Sequence, residues 1–149
     1  MTDIEYRKAV PSDIPAIEEL FAEMLKSVGD YDETAGYESG YLDRFFTGSG
    51  NVIYAAEAEG RVIGYISVEL HDSFIYLDDL SVSERYRSCG IGSKLIALAE
   101  KHGGEMSALS AVLHVEKSND GALRLYKRLG YTTVADEESR FRMEKQLQR

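Results

Sequence analysis

The chain has 149 residues, 44% of them apolar and 29% charged, and a formal net charge of −9. That is the length and composition of one ordinary globular domain, and so acidic a chain repels a phosphate backbone, which argues against nucleic acid as a partner. No run of about 18 apolar residues is present to span a membrane. The segment Met1 to Glu5 lacks the basic and apolar stretches of a secretory leader. The single cysteine, Cys89, rules out an internal disulfide framework, so a reducing, cytoplasmic setting is expected.

In chain order, Ile4 to Ala9 reads as a short first strand. Ser12 or Asp13 then offers an oxygen to the unpaired amides of a helix start. Ile14, Ile17, Leu20, Phe21, Met24, Leu25 and Val28 follow at helical spacing, with Gly29 as the stop. Tyr31 to Gly40 is irregular, and a short helix is expected around Tyr41 to Phe46. Asn51 to Ala58 and Arg61 to Leu70 form a hairpin about Glu59-Gly60, and Phe74 to Val82 is a third strand. A helix carrying Ile91, Leu95, Ile96, Leu98 and Ala99 ends near Gly103-Gly104. A short apolar strand, Ala111 to Val115, follows it, then a helix carrying Ala122, Leu123, Tyr126 and Leu129, stopped by Gly130. Tyr131 to Val134 and Arg140 to Lys145 close the chain as a strand pair. The order predicts a mixed α/β fold around one sheet, with antiparallel hairpins and at least one strand–helix–strand crossover. The two prolines both lie near the start, and no linker, repeat or low-complexity tract divides the chain, so residues 1–149 read as one domain.

Acid is concentrated between Ser27 and Gly60, where Asp30, Asp32, Glu33, Glu38, Asp43, Glu57 and Glu59 face only Arg44. Such a run serves as a solvated face or as a field that attracts a cation. The sign reverses locally at Arg85, Arg87 and Lys94, around Arg87-Ser88-Cys89-Gly90-Ile91-Gly92. Here the chain passes from strand to helix, and the first amides of a helix lack internal partners and attract an anion. Gly90 and Gly92 let a diphosphate approach the backbone. Leu95 stands where a dinucleotide motif needs its third glycine, and no Walker lysine follows.

The third strand holds a second anomaly. Ile75 and Leu77 share one side-chain phase, Leu80 and Val82 the other, and the slip falls at Asp78-Asp79. One inserted residue there makes a β-bulge. Two carboxylates inside an apolar strand are costly unless satisfied, and a carboxylate is suited to take the proton that an alkylammonium must lose before it attacks.

These residues resemble those of the GNAT N-acetyltransferases. Arg87 to Gly92 is similar to that family's R/Q-x-x-G-x-G/A loop, and Asn119 to Tyr131 is similar to its N-x-x-A-x-x-x-Y-x-x-x-G-F/Y segment. The resemblance implies a strongly twisted mixed sheet, splayed at its middle and flanked by about four helices. It implies acetyl-CoA as the acyl donor and no metal. Leu80, Ser81, Val82, Arg87, Ser88, Cys89, Gly90, Ile91, Gly92, Ser93, Asn119, Ala122 and Tyr126 would then meet the coenzyme. In the same resemblance the Leu80 amide polarises the thioester carbonyl, Tyr126 assists the departing thiolate, and Asp78 or Asp79 handles the amine's proton. Tyr76-Leu77-Asp78-Asp79 stands where polyamine-acetylating relatives carry Tyr-Leu-Glu-Asp, which favours Asp78 by spacing and a small cationic amine as acceptor. A protein N-terminus or lysine as acceptor, and a coenzyme-A-binding sensor without turnover, remain alternatives. Relatives of this kind are often dimers. His71, His102 and His114 have no ligand-like spacing with Cys89 or the acids, and His114 is expected to be structural.

Overall fold

A computed structural model describes residues 3–27 and 37–147. The expected helix stop at Gly29 and the acidic residues Asp30, Asp32 and Glu33 lie outside the described residues. Seven strands form one sheet: β1 (Glu5–Lys8), β2 (Val52–Ala58), β3 (Arg61–Leu70), β4 (Phe74–Val82), β5 (Ser110–Glu116), β6 (Thr132–Glu137) and β7 (Arg140–Gln146). Their spatial order is β1-β2-β3-β4-β5-β7-β6. All neighbouring pairs are antiparallel except β4 and β5, which run parallel because a helix crosses between them. The α-helices among the described residues are α1 (Ile14–Ser27), α2 (Ile91–Glu105) and α3 (Asp120–Arg128), and the segment expected around Tyr41 is a 3-10 helix, Tyr41–Phe46.

The strands are apolar almost continuously where both sheet faces are covered. On β2, Val52, Tyr54, Ala56 and Ala58 join the cluster under α2, while Ile53 joins the cluster under α1 and the 3-10 helix. On β3, Val68 and Ile66 face α2 and Tyr65 faces α1. α2 ends at Glu105, beside the expected Gly103-Gly104 stop. A Cβ on Gly103 would lie 2.9 Å from Leu147 and 3.0 Å from Ile75, so the glycine is the contact that seats α2 on the sheet.

Asp13 also departs from expectation. Its carboxylate accepts from the Val10 amide at 2.8 Å and from the Arg7 guanidinium at 2.8 and 3.0 Å. Arg7 reaches Glu57 as well, so this knot ties β1, β2 and the start of α1 together.

The bulge predicted at the aspartates is present. Ser67 pairs with Asp79 and Val68 with Leu77, which leaves Asp78 as the extra residue. Ile75 and Leu77 before it and Leu80 and Val82 after it thereby all pack in the cluster under α2. Ser81 points the opposite way and donates to the Leu20 carbonyl of α1 at 3.1 Å. Ser81→Ala should lower stability by about 1 kcal/mol, read as a drop in thermal midpoint, with no change in KM for acetyl-CoA.

Candidate active site

β4 and β5 part company at the bulge. Their pairing runs from Phe74 opposite Ser110 to Leu77 opposite Leu113 and stops, although β4 continues to Val82 and β5 to Glu116. Beyond Leu77, β4 bonds only to β3 on its other side. The Ser83 amide donates to the Ile63 carbonyl at 2.7 Å. Backbone direction alternates along a strand, so Ser81 also faces β3, while the N–H and C=O groups of Leu80 and Val82 face the gap. The Val82 carbonyl is met there by Arg87 Nε at 3.2 Å.

The open edge leads to the glycine loop. Ser88 and Gly90 take positive φ values of 64° and 78°, which turns successive amides to one side before α2 begins at Ile91. The first loop amide after Arg87 with an acceptor among the described residues is that of Lys94, bonded to the Gly90 carbonyl at 3.1 Å. The amides of Ser88, Cys89, Gly90, Ile91, Gly92 and Ser93 therefore stand free at a helix N-terminus, a concave anion site. A Cβ on Gly92 would lie 3.7 Å from Leu125 and 3.8 Å from Leu80, so α2, α3 and β4 converge at this point. Cys89 is exposed, with its thiol directed at the Arg87 carbonyl. Lys94 extends toward the Tyr6 ring rather than over the loop.

The bulge turns Asp78 and Asp79 onto the α1 side together. The Tyr41 hydroxyl donates to Asp78 at 2.5 Å and the Tyr37 hydroxyl to Asp79 at 2.7 Å. Tyr37 stacks on Tyr41 at 5.2 Å between ring centres and also bonds Tyr65. The Asp79 amide donates to Ser67 Oγ. Burial pushes the Asp79 carboxyl up to about 7, with repulsion from Asp78 adding to it and the Tyr37 hydrogen bond opposing it. Asp78 is also raised, first by burial and then by Glu69, against the pull of Tyr41 and Arg44. Two adjacent carboxyls of this kind titrate as a pair.

Tyr126 approaches from α3. Its hydroxyl makes no hydrogen bond to the described residues, and its pKa is pushed up to about 12 by burial and then by the charge of Asp79. The ring meets Tyr131 edge-on at 6.0 Å.

The structure gathers the expected residues unevenly. Asp78, Asp79, Leu80, Val82, Tyr126 and the loop from Arg87 to Ser93 surround one gap. Ser81 is turned out of it, its side chain on α1 and its backbone toward β3. Asn119 accepts from the Ala122 amide at 3.2 Å, so both residues are engaged in capping α3. His114 is fixed between the Tyr76 hydroxyl at 2.7 Å and Glu137 at 3.0 Å. Glu57 is tied to Arg7 and Glu59 occupies the β2–β3 turn, so neither adds to a field at the gap. Sequence reasoning missed Tyr37, Tyr41, Tyr65 and Ser67, because no local pattern marks a partner that only the packed fold supplies. Among the described residues no group of three histidines, cysteines or acids is placed to hold a metal ion.

A strand edge that opens beside a cradle of free amides fits an elongated ligand with an anionic group at one end. Comparison with known proteins gives the family. Residues 14–131 match the Acetyltransferase (GNAT) family, and the chain belongs to it. It is an acetyl-CoA-dependent N-acetyltransferase of that type. The uncharacterized N-acetyltransferase MJ1530 of Methanocaldococcus jannaschii is 31% identical over 126 residues, 84% of this chain and 76% of that one. The aminoalkylphosphonate N-acetyltransferase of Salmonella typhimurium is 31% identical over 151 residues, covering 96% and 91%. Among solved structures, the PaiA N-acetyltransferase of Thermoplasma acidophilum in complex with coenzyme A matches with a TM-score of 0.84 at 25% identity, over 97% of this chain and 99% of that one.

The Tyr37 hydrogen bond stabilises the charged form of Asp79. Tyr37→Phe should therefore raise the apparent pKa of the aspartate pair by about one pH unit, followed by carbon-detected NMR titration of the carboxyls.

Proposed function

We propose that the enzyme acetylates a primary amine that reaches Asp78 and Asp79 as an ammonium and attacks directly, without an acyl-enzyme. The observation that carries this reading is the pair of half-buried carboxyls on the bulge, with the unpartnered Tyr126 hydroxyl across the gap and close enough to feel the charge of Asp79. The relatives' names do not choose an acceptor for this chain, so the class is read from the residues. A small cationic amine was the expectation, and Asp78 has Asp79 and Glu69 as acidic neighbours.

Acetyl-CoA supplies the thioester carbon to which the amine bonds and the sulfur that leaves. The amides of Ser88 to Ser93 hold its pyrophosphate, with Arg87 completing the positive surround. Main-chain groups of Leu80 and Val82 receive the pantetheine arm as a sheet edge receives a peptide. The Leu80 amide stabilises charge on the carbonyl oxygen. The aspartate pair binds the ammonium and takes one proton from it before attack, Asp79 being the member raised to about 7, and the second nitrogen proton passes to the departing thiolate as the tetrahedral adduct collapses. The spacing argument favoured Asp78, whereas burial and the reach of Asp79 to Tyr126 favour Asp79. A thiol titrates at about 8.5, below Tyr126, so Tyr126 steadies the thiolate as a hydrogen-bond donor rather than by surrendering its proton.

Free-thiol release from acetyl-CoA against a panel of amines tests the reading. Amine-dependent release supports it, and tight coenzyme binding without release by any amine would sink it. Tyr126→Phe should lower kcat by roughly 10- to 100-fold with little change in KM for acetyl-CoA. The rate should also fall as pH drops through about 7, where the pair regains its proton, and Asp79→Asn should abolish that acid limb in a kcat/KM profile.

A further inference from the structure

We infer that the acceptor carries an anionic group, a carboxylate or a phosphonate, a few bonds from its amine, and that Arg142 receives it. This rests on the amine-acetylation reading above and names the other end of that substrate.

Arg142 lies on β7, directly opposite His114 of β5. On β7, Met143 packs in the cluster under α2, and Lys145 reaches Glu100 of α2 at 3.0 Å. Strand alternation then turns Arg142 to the opposite face. That is the face of the bulge. His114 bonds the Tyr76 hydroxyl at 2.7 Å, and Tyr76 lies two residues before Asp78 on β4. Asp78 and Arg140 both act on the Tyr76 hydroxyl, which places all three groups in one neighbourhood.

The other charges on this face have partners. Arg44 stands 3.8 Å from Glu69, His114 3.0 Å from Glu137, and Arg140 3.7 Å from Glu137. The Arg142 side chain makes no hydrogen bond or ion pair with the described residues. Its Nε is sealed from solvent, and it is the single buried side-chain donor or acceptor among the described residues without a partner. Such an orphaned donor is unfavourable, and the terminal nitrogens of the same guanidinium are open to an arriving acceptor. The planar guanidinium fork matches a carboxylate or a phosphonate in two parallel hydrogen bonds.

Position agrees with chemistry. Leu77 and Leu113 are paired, so His114, and Arg142 beside it, stand level with the bulge. β5 alone stands between β4 and β7, and β4 has parted from it beyond Leu77. An amine at the aspartates and an anion at Arg142 belong on this reading to the two ends of one acceptor. A diamine would instead present a second cation to an unpaired cation.

The test is thiol release by the intact protein with three series of equal chain length: ω-aminoalkyl carboxylates, ω-aminoalkyl phosphonates and plain alkylamines, with diamines as a fourth arm. At least one acidic series should exceed the matched alkylamines by on the order of 100-fold in kcat/KM, and the better of the two identifies the anion. Arg142→Gln should erase that ratio chiefly through KM for the acidic acceptor, and Arg142→Lys should restore part of it. Alkylamines or diamines that equal both acidic series with the wild-type protein would overturn the inference without recourse to any variant. So would an Arg142→Gln protein that loses all series in equal proportion. Release with no amine of any series would overturn the acetyl-transfer reading beneath it.

Discussion

The separation of β4 from β5 beyond Leu77 is the constraint on which the rest depends. A parallel pair that stayed closed to Val82 would consume the main-chain groups of Leu80 and Val82 and leave no slot for a donor. The parting coincides with the extra residue at Asp78. A bulge bends its strand and strengthens the local twist, so one residue both opens the edge and swings two carboxyls to the same face. β5 stays in the sheet because β7 pairs with it along its whole length.

Burial of those carboxyls is an electrostatic liability of the fold. Desolvation and mutual repulsion raise both, and the hydroxyls of Tyr37 and Tyr41 with the stacked rings behind them hold the pair in place. The result is a carboxyl in Asp79 pushed up to about 7, where an ordinary surface aspartate would be fully ionised. The same low-dielectric setting keeps Tyr126 protonated and able to donate.

Six loop amides and the Tyr126 hydroxyl have no partner among the described residues, whereas His102, buried on α2, bonds the Gly50 carbonyl at 2.7 Å. Proteins rarely leave buried donors unpaired.

By itself the sequence determined the element order, the helix starting at the glycines and the slip of apolar phase at Asp78-Asp79. These are legible because each is local: side-chain periodicity, φ preference and the free amides of a helix start are properties of adjacent residues. The tertiary structure alone decided that Ser81 belongs to α1, that Asp13 answers to Arg7, that Tyr37 and Tyr41 hold the aspartates, and that Arg142 stands beside His114. Each of those pairs is far apart in the chain or turned by strand register, except the Arg7–Asp13 contact, which a change of chain direction closes. Desolvation, which sets the pKa of Asp79, exists only once such distant surfaces have met.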